Sequence, residues 1–230
     1  MKRRTKIILI FLILLALGGA IAFEEYQKQH TPYRVLAKND LGSVERIIYG
    51  CQTSEETIAL ITGIHPHEKL SIDPEIKAAR EYANEHSKVN FIHYQVNVTK
   101  DADDYDKGRA NGEKLVHDYV NPDVTRSNAN CVIISHSHME DYGEGYYLAT
   151  PEMDDASVEI AKKIHATSDF GYYPRTGNES YNSTSAQLVS CPIAKAGYPT
   201  FVYEIPENIT AQNSTDWTKD LFSLMVKYTS

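Results

Sequence analysis

The sequence lacks the charge pattern of a nucleic-acid-binding protein. After residue 6 it has no basic patch with interleaved aromatic residues, and its formal net charge is −8. A protein that binds phosphates needs clustered Lys and Arg side chains, so the composition argues against nucleic acid as the main partner. The chain also has no internal repeat and no low-complexity segment, and its 230 residues suit one domain with a full core.

Cysteine is scarce as well. The chain contains three, Cys51, Cys131 and Cys191, which lie far apart in the sequence. One disulfide and one free thiol are compatible with this number in an oxidising compartment. The spacing does not choose the pair, so the pairing stays open.

A long apolar run lies at the N-terminus. The cationic sequence MKRRTK precedes an uncharged run from Ile7 to Phe23, and Ala20-Ile21-Ala22 has the small-x-small form of a signal-peptidase site. The run is also long enough to span a bilayer as an uncleaved helix. Residues 1–23 are therefore predicted to be a signal peptide or a membrane anchor. In either case the remainder of the chain would lie outside the cytoplasm.

Asn-x-Ser/Thr sequences are a second indication of export. Such acceptor sequences begin at Asn97, Asn178, Asn182, Asn208 and Asn213. Each one alone is a short pattern, but five of them in one exported chain predict a glycoprotein.

Strand-like and helical segments alternate after a polar, aperiodic stretch, residues 24–42, that predicts a stalk. Strands are predicted over residues 44–50, 57–62, 89–98, 131–134 and 200–205. Helices are predicted over residues 73–86, 103–120, 153–167, 186–196 and 216–228, and a loop over residues 171–185. The alternation predicts a single α/β domain over residues 43–230, with a mostly parallel or mixed central sheet and helices on both faces.

Side chains that can bind a metal or transfer a proton accompany three of the predicted strands. In folds of this class, active sites collect at the carboxyl ends of strands. GIHPHE follows the strand at residues 57–62, and SHSH follows the strand at residues 131–134. A catalytic zinc ion takes three His, Glu or Asp ligands and keeps one position open for water. His65 and Glu68 share one face of a tight turn, His67 points elsewhere, and His136 is the best candidate for the third ligand.

The third of these strands, predicted at residues 200–205, is apolar except for Glu204. A carboxylate beside a zinc ion can take the proton of the attacking water, so Glu204 is predicted to be the general base. Taken singly, histidines such as His67 and His138 are most often surface or core residues, and a lone strand glutamate can be an edge residue. The prediction of a zinc site with a general base therefore rests on His65, Glu68, His136 and Glu204 taken together.

These residues resemble the motifs of the zinc carboxypeptidase superfamily, which includes the succinylglutamate desuccinylase and aspartoacylase branch. GIHPHE resembles its first zinc motif, Gly-x-His-x-x-Glu, and ISHSH resembles the strand end that carries its third ligand, a His commonly followed by Ser. GYPTFVYEIPE resembles its apolar strand that ends in the catalytic Glu. The resemblance covers about residues 44–228. It implies a carboxypeptidase-like catalytic domain with Zn²⁺ on His65, Glu68 and His136, and with Glu204 as the catalytic residue.

The activity implied is hydrolysis of an amide bond in a peptide or N-acyl amino acid. The sequence has no clean Asn-Arg pair, which is the clamp of this family for a substrate carboxylate. Arg109 and Asn111 in KGRANGE are the nearest substitute and are predicted to bind substrate, with Arg126 and Arg175 as alternatives. The substrate-closing tyrosine is not singled out by the sequence. Tyr172, Tyr173 and Tyr181 lie in the predicted loop.

Two other functions stay open. The chain can be an exported binding or cell-wall interaction module on the same scaffold, with a vestigial or structural metal site. SHSHMED also resembles the His-x-His-x-Asp-His pattern of metallo-β-lactamases, although Asp141 stands where that pattern needs His. The sequence holds no signal for the oligomeric state.

Overall fold

The computed structural model describes residues 10–19, 31–139, 143–174 and 183–229. The chain divides into two units, Met1–Pro32 and Tyr33–Ser230. In the first unit, residues 10–19 form helix α1, which is exposed along its length. Within the described ranges, no helix combines the length and the apolar character needed to cross a membrane. The predicted cleavage site at Ala20-Ile21-Ala22 lies outside those ranges, so the export prediction rests on the sequence.

One eight-stranded mixed sheet organises the second unit, in the order β1-β2-β4-β3-β5-β8-β6-β7. Its strands are β1 (Tyr33–Asn39), β2 (Gly42–Gly50), β3 (Glu56–Thr62), β4 (Val89–Val98), β5 (Cys131–His138), β6 (Tyr147–Thr150), β7 (Gly171–Pro174) and β8 (Thr200–Pro206). The four central strands, β4, β3, β5 and β8, run parallel to one another. Their carboxyl ends therefore meet at one edge of the sheet.

Helices cover both faces of this sheet. They are α2 (Asp73–Glu85), α3 (Tyr105–Leu115), α4 (Asn121–Val124), α5 (Asp155–Thr167), α6 (Cys191–Lys195) and α7 (Ala211–Thr229). Short π-helical turns, Val116–Val120 and Ala186–Ser190, lead into α4 and α6. Helices α2, α5 and α7 pack on one face, and α3, α4, α6 and the π-helical turns pack on the other.

The central strands are buried on both faces, which explains their nearly continuous apolar sequences. In β3, Ile58 and Leu60 join the core layer under α2 and α7, whereas Ala59 and Ile61 join the layer under α3. This is the two-residue alternation of a strand applied to a sheet with two cores. The predicted α/β class, the central sheet and the two helical layers are confirmed.

Three details of the sequence prediction are wrong. The predicted stalk over residues 24–42 overlaps β1, which pairs antiparallel with β2, so the sheet begins at Tyr33. β6 is absent from the prediction, and β7 lies in the predicted loop. β1 and β7 are edge strands with one paired side and little burial, so they carry a weak apolar pattern, whereas β6 lies between β8 and β7 and spans only four residues. The three cysteines are free: Cys51 is exposed, Cys131 is buried and Cys191 is half-buried.

Candidate metal centre

The turn after β3 places His65 and Glu68. Gly63 begins it with a φ of +79°, and a Cβ there would lie 2.1 Å from the Val96 carbonyl oxygen, so only glycine fits. The backbone N–H of Glu68 donates to the His65 carbonyl at 3.2 Å, which closes the turn. Both side chains are buried. The i, i+3 spacing therefore brings the imidazole and the carboxylate together, as the sequence predicts.

His136 reaches the same point from β5. This strand continues to His138, four residues beyond the predicted end, so His136 lies inside the strand and not after it. The parallel register of β5 and β8 sets His136 directly opposite Glu204. The central sheet therefore delivers the third predicted ligand and the predicted base side by side.

The three predicted ligands form one buried cluster. Glu68 is shared between the two rings: its Oε1 lies 2.7 Å from His65 Nδ1, and its Oε2 lies 2.8 Å from His136 Nδ1. One ligand atom from each residue lies within 4.8 Å of the others. Two imidazoles, one carboxylate and an adjoining cavity make the donor set of a catalytic zinc site with an open position. The residues present thus fit the predicted Zn²⁺.

The electrostatics of the cluster favour a charged carboxylate. Burial opposes ionisation of Glu68, but the His136 and His65 rings outweigh it and hold the pKa of the Glu68 carboxyl far below its usual value. Burial also lowers the pKa of His65, and the Glu113 and Glu68 carboxylates overcome this and raise it above its ordinary value. Both shifts show that the cluster favours positive charge beside the Glu68 carboxylate.

Glu113 was not predicted from the sequence, yet it lies directly behind His65. Its Oε1 is 3.3 Å from His65 Nε2, and its side chain is buried. A carboxylate behind a ligating imidazole fixes the ring and its tautomer, a common arrangement at metal sites. The available signal was the spacing from Arg109, because residues four apart lie on one face of a helix.

Arg109 and Asn111 separate in the structure. Arg109 Nη1 donates to Glu68 Oε1 at 2.9 Å, and its guanidinium also lies 5.2 Å from the centre of the Tyr105 ring. The Asn111 amide donates to the Lys100 carbonyl at 2.9 Å and does not line the cavity. Residues two apart on a helix point in nearly opposite directions, so only Arg109 can face the centre. The structure therefore places Arg109, but not Asn111, beside the cluster, and substrate binding by either residue stays a prediction.

A cavity of about 410 Å³ opens onto the cluster. His65, Glu68, His136, Glu204 and Arg109 all line it. Glu204 is partly buried, and burial raises the pKa of its carboxyl to about 7, an effect that His136 partly offsets. A carboxyl that titrates near neutral pH can both accept and return a proton.

The remaining histidines of the cavity are not part of the cluster. His67 lines the wall near Tyr105, with their ring centres 6.1 Å apart. His138 has both ring nitrogens at 2.9 Å from backbone carbonyls, those of Met139 and Gly145. The two rings therefore form part of the cavity wall. The prediction of His136 rather than His138 as the third ligand fits this geometry.

Several sequence candidates lie elsewhere. Arg126, Tyr172 and Tyr173 do not line the cavity, and Tyr172 instead hydrogen-bonds Thr150 at 2.9 Å. Further candidates lie outside the described residues: Asp141, Arg175, Asn178, Tyr181 and Asn182.

Comparison with known proteins finds similarity in structure only. No protein-family profile and no curated protein sequence matches the chain. A metallo-carboxypeptidase from Pseudomonas aeruginosa, in complex with (2-guanidinoethylmercapto)succinic acid, is similar at a TM-score of 0.57 and 14% identity, over 92% of this chain and 69% of its own. A metallo-carboxypeptidase from Burkholderia cenocepacia is similar at a TM-score of 0.51 and 14% identity, over 90% and 67%.

The product-bound cell shape determinant protein Csd4 from Helicobacter pylori is also similar. Its TM-score is 0.53 at 12% identity, over 81% of this chain and 55% of its own. At such identities the likeness concerns the fold. The chain has the metallo-carboxypeptidase fold over nearly its whole length, and it spans between about half and two thirds of these proteins.

Proposed function

We propose that this protein is a zinc-dependent hydrolase that cleaves an amide bond in a peptide or an N-acyl amino acid. One observation carries the proposal: the buried His–Glu–His cluster and Glu204 line the same cavity at the carboxyl ends of parallel strands. The fold shared with metallo-carboxypeptidases supports it.

His65, Glu68 and His136 would hold the zinc ion. When bound, zinc supplies Lewis acidity to a substrate carbonyl and lowers the pKa of a coordinated water molecule. Glu113 keeps the His65 ring in place from behind, since it faces the ring nitrogen on the side away from Glu68. The chain thus presents a preorganised ligand set, which avoids reorganisation during the reaction.

Glu204 would move the proton. In its ionised form, its carboxylate removes a proton from the water that attacks the carbonyl carbon, and it then delivers this proton to the leaving amine nitrogen. A base whose pKa lies near neutrality suits both steps, and burial raises that of Glu204 to about 7. One carboxylate therefore acts first as a base and then as an acid.

Arg109 would stabilise the negative charge that develops on the carbonyl oxygen. One Nη1–H bond already goes to Glu68, which orients the guanidinium toward the centre. The guanidinium has five N–H donors, so others remain for the substrate. A guanidinium that is oriented before the reaction can stabilise a developing oxyanion without reorganisation.

The decisive test is Glu204→Gln in zinc-loaded protein. Glutamine keeps the shape of the side chain but cannot accept the proton, so kcat on the best peptide or acyl-amino-acid substrate should fall roughly 10²- to 10⁴-fold. Zinc content and melting temperature should stay near wild type. An unchanged kcat in a folded, zinc-loaded variant would refute the mechanism.

The metal assignment is tested separately by zinc analysis of ligand variants. His65→Ala, Glu68→Ala and His136→Ala should each lose stoichiometric zinc, because a three-ligand site has no spare ligand. His138→Ala is the matched control and should retain zinc, since the His138 ring contacts backbone carbonyls. If zinc binds stoichiometrically and no substrate is cleaved, the binding-module function is favoured.

A further inference from the structure

Glu207 is an acidic residue of the cavity that the proposed reaction does not use. It follows β8 directly, and its backbone N–H donates to the His138 carbonyl at 2.9 Å. This bond extends the pairing of β8 with β5 by one residue. The Ser137 hydroxyl donates to Glu207 Oε1 at 3.2 Å. The carboxylate is therefore held at the rim of the cavity from both its backbone and its side chain.

Glu207 differs from the other carboxylates that line the cavity. Glu68 is engaged by His65, His136 and Arg109, and Glu204 stands opposite His136. Glu207 is exposed, and no Lys or Arg of the described residues forms an ion pair with it. It is also separate from the His–Glu–His cluster. Among the residues that the structure describes, the cavity therefore has an anchored negative charge with no Lys or Arg counter-ion.

The chemistry of this position suits an ammonium group. Glu207 Oε1 and Oε2 are acceptors, and the Ser137 hydroxyl oxygen can accept as well as donate. An ammonium group offers three donors, so it can contact both residues at once. A hydrogen bond between two charged groups is shorter and stronger than a neutral one. The cavity of about 410 Å³ has room for a side chain of lysine length beside the cleaved bond.

We propose that Glu207 selects substrates with a primary ammonium group next to the cleaved amide. This rests on the proposed hydrolase function and names its substrate class. Two carboxylates of the cavity have different roles: Glu204 transfers the proton, and Glu207 positions the substrate through its charge.

The test compares two peptides that differ in one charge. One has lysine beside the cleaved bond, and the other has Nε-acetyl-lysine, with pairs made for each side of the bond. For zinc-loaded wild type, kcat/KM should be roughly tenfold higher for the lysine peptide of one pair, the size of a single charge-assisted hydrogen bond. Glu207→Gln keeps an acceptor for Ser137 but loses the charge, so the ratio should fall to about one. Glu207→Lys should bring it below one.

Glu55→Gln is the matched control. Glu55 is exposed and precedes β3, at the opposite end of the strand from the cavity, so its removal changes the net charge equally and should leave the ratio at its wild-type value. Zinc content and melting temperature are measured for each variant. A ratio near one in wild type, or a wild-type ratio retained in Glu207→Gln, would overturn the inference.

Calorimetric binding of the same peptides separates this inference from the proposed function. If no peptide is hydrolysed but wild type binds the lysine peptide more tightly and Glu207→Gln does not, the ammonium site stands and the hydrolase proposal fails. If hydrolysis occurs and neither binding nor kcat/KM depends on the ammonium group, the hydrolase stands and the ammonium site fails.

Discussion

Glu113 holds the His65 ring on the side away from Glu68. Its carboxylate faces His65 Nε2 at 3.3 Å, while His65 Nδ1 faces Glu68. A hydrogen bond from Nε2 to this carboxylate leaves Nδ1 as the nitrogen that can bind a metal ion, and it raises the basicity of the ring. The side chain of Thr184 hydrogen-bonds Glu113 in turn.

We therefore expect Glu113→Ala to weaken zinc binding roughly 10- to 100-fold without abolishing it. Competition with a chromophoric chelator measures this. Asp106→Asn is the control, because Asp106 is an exposed acid on the same helix and its loss should leave zinc affinity within about twofold. Equal affinities in wild type and Glu113→Ala would show that the His65 ring is held by its packing alone.

Glu75 is a buried acid on the other side of the sheet from the metal cluster. Ser135 donates a hydrogen bond to its Oε2, and its Oε1 has no hydrogen-bond partner among the described residues. Burial raises the pKa of the Glu75 carboxyl well above its usual value, and the charges of Glu204 and Glu68 add to this effect. The folded protein therefore keeps a proton on Glu75 that the unfolded chain releases near pH ~4.3.

The sign of the resulting pH dependence follows from proton counting. Above pH ~4.3 the native state binds more protons than the unfolded state, so the free energy of unfolding falls as pH rises, until the pH passes the folded-state pKa. Glu75→Gln removes this loss. Its melting temperature relative to wild type should increase steadily from about pH 5 to pH 8, as measured by calorimetry. The exposed Glu55→Gln serves as the control, and a difference independent of pH would contradict the buried-acid interpretation.

At the scale of elements, the contact between α3 and the turn after β3 determines the geometry of the centre. A Cβ on Gly112 would lie 1.7 Å from the carbonyl oxygen of Ile64, the residue before His65. Gly112 also precedes Glu113. The two backbones can therefore approach only because glycine stands there, and this approach brings Glu113 within reach of His65.

Gly112→Ala should separate α3 from the turn. It gains about 1 kcal/mol of helix propensity but should cost about 3 kcal/mol in overpacking against rigid backbone. We expect net destabilisation in urea unfolding, together with weaker zinc binding. Gly108→Ala is the comparison on the same helix, because its Cβ would lie 3.0 Å from the Pro66 ring and 3.2 Å from the carbonyl oxygens of Ala102 and Asp101, contacts that shifts of a few tenths of an ångström relieve. A Gly112→Ala protein as stable as Gly108→Ala would show that α3 moves freely.

The same two glycines show the limits of prediction from sequence. By propensity they weaken the predicted helix at residues 103–120, and nothing local reveals the backbone that Gly112 contacts. Buried central strands such as β3 are predictable because their apolar residues are contiguous, whereas β1 is a mostly exposed edge strand with a shorter apolar run, Val35 to Ala37. Glu113 was missed for a related reason, since its partner His65 is 48 residues away. Contacts set by the packing of elements leave no periodic pattern in the chain.

The residues of the candidate site likewise differ in how far the sequence predicts them. His65, Glu68, His136 and Glu204 were found because each follows or interrupts an apolar strand at the end where parallel strands meet. Arg109 and Asn111 were chosen by a short motif, and the helical phase separates them. Glu207 has no sequence signal apart from its position three residues after Glu204. Strand ends are therefore more predictable than the walls that complete a cavity.

At the scale of the whole molecule, the remaining proposal concerns export. The cationic flank, the apolar run and the acceptor sequences motivate it, and the folded domain does not contradict it. Asn97, Asn208 and Asn213 are exposed on that domain. The Thr215 hydroxyl of the Asn213 sequence is different, because it is buried and donates to the Pro74 carbonyl at 3.2 Å. A glycosylating enzyme acting on the folded domain should therefore modify Asn97 and Asn208 in preference to Asn213.

A topology experiment in the native host tests the export proposal. A C-terminally tagged chain should lose its tag when protease is added to intact cells, because the cationic flank remains inside and the domain lies outside. A cytosolic protein with the same tag should stay protected. Replacing Lys2, Arg3, Arg4 and Lys6 by glutamate removes the charge asymmetry, so a larger share of the chain should become protease-resistant. A tag that is fully protected in wild type would refute export, and the acceptor sequences would then have no glycosylating enzyme to meet.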